Sequence, residues 1–215
     1  MASEDGDNGY PGKAEISVRY TIGEDNSLTV ETAAAVTELT PISLAHHSYF
    51  NLGGADCLTT GEHEVQILSG KSFQTDERMG YTGKILQVHG AANDANSFRK
   101  ISVFVPQLWQ RHGDLYWLDK PGQEEFKTVA RLRCPDSGLQ MEVDTNCSCL
   151  QFYGGEYFDG SITGKSGFSY GKLAGLCFEC QGHPEAFDGD LRKGNILACP
   201  DSPHSSKTTY RFSEI

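Results

Sequence analysis

Apolar and polar positions alternate with a period of two through much of this chain, the mark of strands with one buried face. Ile16, Val18, Tyr20 and Ile22 fall on one side of such a strand. Gly23-Glu24-Asp25-Asn26-Ser27 then turns the chain, and Leu28 and Val30 resume the alternation, which predicts a hairpin. Phe126, Thr128, Ala130, Leu132 and Cys134 alternate likewise, Pro135-Asp136-Ser137-Gly138 supplies a turn, and Leu139, Met141 and Val143 answer on the return strand. Further strands are predicted over Glu64–Leu68, Ile101–Val105, Leu150–Tyr153, Leu176–Gln181 and Thr208–Phe212. Helical periodicity is almost absent. The small, polar stretch Gly90–Ser97 reads as a surface loop. Many short strands punctuated by Gly, Pro and Asp imply an all-β protein of antiparallel sheets packed face to face. With no internal repeat and no linker, one domain over residues 1–215 is expected, with residues 1–8 disordered.

Composition narrows the partners more than the fold. The 215 residues suffice for a sizeable core, and 38% hydrophobic content with 24 glycines fits a turn-rich globular chain. A net charge of −11 repels nucleic acid and anionic lipid, so neither is expected as a partner. A neutral small molecule is neither selected nor excluded. No apolar run reaches membrane-spanning length, and Met1 to Asp7 is too polar and acidic for a signal peptide. The seven cysteines therefore read as reduced thiols in a cytoplasmic setting. On the same ground the sequon Asn146-Cys147-Ser148 is a chance match.

Cys147 and Cys149 with Cys177 and Cys180 have the donors for a four-thiolate zinc site. Strand geometry argues against it, because Cys177 and Cys180 would point to opposite faces; no metal is expected. No nucleophile elbow, phosphate loop or dinucleotide fingerprint is present. Two stretches stand out. In AHHSYFNLGG, residues 45–54, a strand would put His47, Tyr49 and Asn51 on one face and His46, Ser48 and Phe50 on the other, so only one histidine can face a given pocket. In GLCFECQGHPEA, residues 175–186, Glu179 sits inside an apolar segment, where a carboxylate is costly unless paired, hydrogen-bonded or functional. A salt bridge to Arg78 or Lys172 would account for it, and so would a role as a base beside a strand histidine.

The segments GYPGKAEISVRYTI, PISLAHHSYFNLGG, LQFYGGEYFDG, GLCFECQGHPEAFD and TTYRFS occur in the order found in the aldose 1-epimerases, or galactose mutarotases. The chain resembles that family from about Gly9 to Ser213, and its double histidine is similar to plant and related eukaryotic members. The resemblance implies a galactose mutarotase-like β-sandwich, a supersandwich. It also implies interconversion of the α and β anomers of free hexoses such as galactose and glucose, without a cofactor. It makes His47, directly before Ser-Tyr-Phe-Asn, the general acid, and Glu179, two residues before Gln181, the general base. Asp114 is the nearest match to the family's sugar-binding aspartate. Asn51 and Gln181, in the same two runs as the acid and base, are expected to contact the sugar, with Tyr49 or Phe152 stacking on its apolar face.

The pattern is broken in three places. The chain begins far inside the family's usual sequence, so an N-terminally truncated sandwich is expected, from a shortened protein or a curtailed gene model. In RHGDLYWLD, Asp114 lies one residue closer to the strand than in the family, and a slip of one reverses facing unless a bulge restores it. Tyr81 replaces the proline of a Pro-Thr-Gly turn. Missing strands would leave sheet edges open, so self-association through them is expected. The enzyme reading therefore stands beside a rival, a non-catalytic carbohydrate-binding protein of mutarotase fold or an inactive fragment.

Overall fold

Two antiparallel sheets hold most of the regular structure in the computed structural model, which describes residues 1–78, 80–108, 113–118, 126–164, 167–182 and 196–215. The larger runs, in spatial order, Ala2–Ser3, Ala14–Ile22, Ser27–Val36, His204–Glu214, Leu139–Thr145, Lys127–Cys134, Glu64–Ile67 and Arg99–Lys100. The smaller runs Tyr49–Phe50, Leu176–Gln181, Cys149–Tyr153, Asp114–Trp117, Lys71–Thr75 and Tyr81–Gln87. A two-stranded ribbon pairs Leu197–Ala198 with Thr40–Pro41.

The core lies where the sheets face each other. Alternation in the larger sheet turns Val30, Leu132, Met141, Val143 and Tyr210 inward, and in the smaller it turns in Leu150, Phe152, Leu176 and Phe178. Each such side chain contributes about 1.5–3 kcal/mol by leaving water. Tyr210 also donates its hydroxyl hydrogen to the carbonyl of Phe178 at 3.0 Å, a polar stitch between the sheets. The other face of the smaller sheet is left free of the core, and it carries the site described below.

The all-β sandwich expected from the alternation is the observed architecture, with two local departures. Ile101–Val105 is not a strand: Ile101–Phe104 is a short α-helix, and Val105–Gln107 continues it as a 3-10 turn. Ile101, Phe104 and Val105 are buried while Val103 is exposed, so the apolar residues follow a spacing of three and four. Residues 1–8, expected to be disordered, carry the strand Ala2–Ser3 and the start of a 3-10 turn at Asp7–Gly9. Ala2 and Ser3 pair with Glu15 and Ala14, and Ile16 exchanges two backbone hydrogen bonds with Met1.

The predicted hairpin is Ala14–Ile22 with Ser27–Val36, turned through Asn26 at φ +57°. Beyond Ile16, among the described residues, no strand pairs with the outer edge of Ala14–Ile22. Val18, Tyr20 and Ile22 on this segment are exposed, Ile22 by 86%.

Candidate active site

A cavity of about 520 Å³ opens on the outer face of the smaller sheet. Leu176–Gln181 sets its floor. Leu176, Phe178 and Cys180 are turned into the core, so Cys177, Glu179 and Gln181 point the other way. Antiparallel register then puts Gln151 opposite Glu179, and Tyr153 and Tyr49 on either side of Cys177. The strand that carries the acidic residue is thus anchored by its apolar positions and presents its polar ones.

Residues 45–48 lie just before a strand, yet the two histidines are split as strand spacing requires. The His47 ring lies 5.1 Å from Tyr49 and 6.3 Å from Tyr153, on the cavity side. The His46 ring packs 5.7 Å from both Tyr20 and Tyr210, on the core side, and its Nε2 hydrogen-bonds Ser48 Oγ at 3.0 Å. His47 Nε2 stands 3.6 Å from Glu179 Oε1, and His47 Nδ1 stands 3.3 Å from Cys177 Sγ. The side chain that faces Glu179 is therefore this imidazole and neither Arg78 nor Lys172. Burial pushes the Glu179 carboxyl above its usual range, and the neighbouring His47 pulls it partly back.

Tyrosines wall the cavity. Tyr49 packs 4.9 Å from Phe158 and 6.2 Å from Tyr153. Burial first, and then Cys177, Tyr153 and Glu179, push the Tyr49 hydroxyl up to about 12. Burial likewise raises Tyr81 and Tyr153. All three hydroxyls stay protonated near neutral pH and can donate hydrogen bonds to an uncharged, hydroxyl-rich ligand.

Five of the residues singled out in the sequence border this cavity: His47, Glu179, Tyr49, Gln181 and Asp114. Asp114 does so from the wrong side. It pairs with Phe152 in an unbroken register, so it shares the face of Phe152 and Tyr116, and no bulge restores it. Its Oδ2 accepts a hydrogen bond from Asn93 Nδ2 at 2.7 Å. Leu115 takes the outward position, opposite Gln151. The preceding Gly113, at φ +77°, lies so close to the Phe152 carbonyl that a Cβ there would collide with backbone.

Asn51 is not brought to the cavity. Its amide donates to the carbonyls of Cys57 at 2.6 Å and Ala174 at 3.1 Å, which ties two loops together. The strand ends at Phe50, and the alternation ends with it. Phe152 is no stacking surface, because its ring is in the core 5.2 Å from Phe178 and 5.9 Å from Phe104.

Tyr153, Gln151 and Asn93 were not foreseen, and Tyr81 was marked only as a change in a turn. Tyr81, in place of the family's proline, opens a strand paired with Lys71–Thr75 and lines the cavity. Gln151 and Tyr153 could have been found from the alternation of their strand, whereas nothing local marks Asn93. No disulfide joins any two of the seven cysteines, and Cys177 and Cys180 fall on opposite faces of their strand. The last part of the Glu179 motif, residues 183–188, lies outside the described residues. No helix among the described residues is long and apolar enough to cross a membrane.

Comparison with known proteins gives one consistent answer. The aldose 1-epimerase family model matches residues 1–211. Galactose mutarotase of Bos taurus is 33% identical over 211 residues, covering 98% of this chain and 61% of that protein. Aldose 1-epimerase of Escherichia coli (strain K12) is 28% identical over 218 residues, covering 99% and 62%. Among solved structures, an aldose epimerase homologue from C. elegans superposes with a TM-score of 0.86 at 23% identity, over all of this chain and 64% of the other. A galactose 1-epimerase from Lactobacillus acidophilus NCFM gives a TM-score of 0.82 at 24% identity, over all of this chain and 61% of the other. The chain thus spans a little over three-fifths of the length of the curated relatives it matches.

Proposed function

From the premise that this chain belongs to the aldose 1-epimerase family, we propose that it exchanges the α and β anomers of a free hexose such as galactose or glucose. The observation that carries this reading is the contact of His47 Nε2 with Glu179 Oε1 at 3.6 Å, at the edge of a cavity walled by tyrosines. Anomer exchange must serve two oxygens bonded to one carbon, O1 and O5 on C1. An acid and a base held this close can reach both.

Glu179 draws the proton from the C1 hydroxyl while His47 gives a proton to the ring oxygen, and the C1–O5 bond breaks to leave the open aldehyde. Rotation about C1–C2 presents the other face of the carbonyl. The hydroxyl at C5 then closes on it, His47 recovering its proton and Glu179 returning its own. No group is consumed, so the reaction needs no co-reactant. The partly raised Glu179 carboxyl suits a base that must also give its proton back, and each positioned acid or base contributes about 10²–10⁴-fold. Gln151, Gln181 and the tyrosine hydroxyls are the groups available to hold the sugar hydroxyls.

Polarimetry of freshly dissolved α-D-galactose tests the reading. The protein should hasten the approach to equilibrium rotation, and Glu179→Gln should abolish the gain. A folded wild-type chain without effect, or an unimpaired Glu179→Gln variant, overturns it.

A second reading is sugar binding without turnover. It is favoured by the turned-away Asp114 and by the partial span of the relatives. It expects galactose to change the tyrosine or tryptophan fluorescence while leaving optical rotation untouched.

A further inference from the structure

Among the described residues, one group of metal-capable donors comes together: His47 and Glu179 line the cavity, and Cys177, on the same strand face as Glu179, is buried beside them. One ligand atom each from His47, Cys177 and Glu179 can be chosen so that all lie within 4.8 Å of one another. We propose that these three residues form a binding site for a zinc-type divalent cation, and that the ion and the sugar compete for the same ground. The competition rests on the proposed function above; the metal site itself does not.

The donor set is the first argument. Thiolate, imidazole and carboxylate together suit zinc and its cobalt analogue, whereas magnesium and calcium call for oxygen alone. Bonds of about 2.0–2.3 Å at tetrahedral angles put ligand atoms about 3.3–3.7 Å apart. Cys177 Sγ to His47 Nδ1 is 3.3 Å, and His47 Nε2 to Glu179 Oε1 is 3.6 Å. Those two distances use different ring nitrogens, and an ion takes only one of them; with a single atom from each residue the three donors lie within 4.8 Å of one another, so the side chains must close by about 1 Å to meet on one centre.

The scaffold is the second argument. Cys177 and Glu179 are two apart on one strand and project from the same face, in a sheet whose core side holds them in place. The His47 side chain is 50% exposed, so an ion can enter from the cavity and keep a water or a sugar hydroxyl as its fourth ligand. On binding, the sulfur gives its proton to solvent and bonds to the metal. An ion there would occupy the lone pairs that the acid and base need, and so hold the enzyme inactive.

Cobalt(II) is the probe, added to the full chain in metal-free buffer. One equivalent should bind and give a thiolate-to-cobalt charge-transfer band in the near ultraviolet. Cys177→Ser should remove the band and weaken binding by at least about tenfold, since losing even an outer partner of a ligand costs 10–100-fold. His47→Asn should weaken binding comparably, which guards against a folding defect peculiar to the cysteine variant. A band that survives in Cys177→Ser, as it would if half-buried Cys57 or Cys199 were the ligand, overturns the site, and so does the absence of any band. Galactose should lower cobalt affinity in proportion to its concentration, and a lack of effect overturns the competition. A chain inert in polarimetry that still gives a Cys177-dependent band sinks the epimerase reading and keeps the metal site; an active chain without the band does the reverse.

Discussion

Replacing Asp114 by alanine separates the face on which a residue sits from the motif in which it is found. By motif, Asp114 is the nearest match to the family's sugar-binding aspartate. By register it stands opposite Phe152, only 7% exposed, and accepts the Asn93 amide at 2.7 Å. A hydrogen bond to a charged group is worth about 1.5–3 kcal/mol net. Asn93 keeps a second partner, Ser72 Oγ at 3.1 Å, so its amide is not stranded and a cost of about 2 kcal/mol is expected. For a chain of this size, each kcal/mol lowers Tm by about 2–4 °C, so Asp114→Ala should melt about 4–8 °C below wild type. A carboxylate that gripped the sugar would on its removal also raise Kd at least tenfold, by the same 1.5–3 kcal/mol. From this face we expect less than about a threefold change. Melting by circular dichroism and galactose titration by fluorescence or polarimetry read the two effects separately. Asn93→Ala, alone and combined with Asp114→Ala, should show coupling of the size seen for contacting pairs, about 0.5–3 kcal/mol. An unchanged Tm together with a tenfold loss of sugar affinity would refute the register argument.

Three other outcomes are expected. Tyr210→Phe removes the bond to the Phe178 carbonyl across the core, and should cost about 0.5–1.5 kcal/mol in a urea titration with little effect on turnover; a tenfold fall in rate at unchanged stability would instead give the core-side pair of Tyr210 and His46 a part in the chemistry. Burial lowers the pKa of His63, whose Nε2 accepts the Leu52 backbone hydrogen at 3.1 Å, so below about pH 6.5 the unfolded chain takes up a proton there more readily than the folded one. Its contribution is therefore full above about pH 6.5 and is lost as pH falls from there toward the folded value, by at most about 1.4 kcal/mol per pH unit. The difference in urea midpoints between wild type and His63→Gln should shift between pH 7.5 and pH 5; a constant difference would be the wrong result. We also propose that the edge at Val18, Tyr20 and Ile22, which no strand among the described residues pairs with, draws chains together, so light scattering at micromolar concentration should show self-association that Tyr20→Lys reduces, and a monomeric wild type would contradict it.

The sequence was informative where period two and the cost of burial acted on the same residues. A carboxylate between Phe178 and Cys180 had to be compensated, and its partner proved to be the histidine of the other conspicuous stretch. The alternation separated His47 from His46 correctly although residues 45–48 form no strand themselves. The same rule failed one step later. Asn51 was assigned to the face of Tyr49, but a strand of two residues ends at Phe50, and the Asn51 amide bonds to loop carbonyls. Phe152 was taken for a ligand surface because it is aromatic, although its own strand gives the cavity to Gln151 and Tyr153. Ile101–Phe104 misled because a short apolar run has no visible period until its burial is known. Asn93 was illegible in principle: a loop amide that meets an acid twenty-one positions away depends on tertiary packing alone.

The placement of Leu115 bears on how this cleft could be remade. A pleated ribbon offers only two directions, so a carboxyl cannot be carried across it by small adjustments of a side chain. An acid at 114 borders the cleft from the core-side face, where it holds Asn93, and the outward-facing position belongs to the neighbouring leucine, opposite Gln151. A library meant to set an acid in this cleft should randomise position 115 first and leave the buried aspartate to its bond with Asn93.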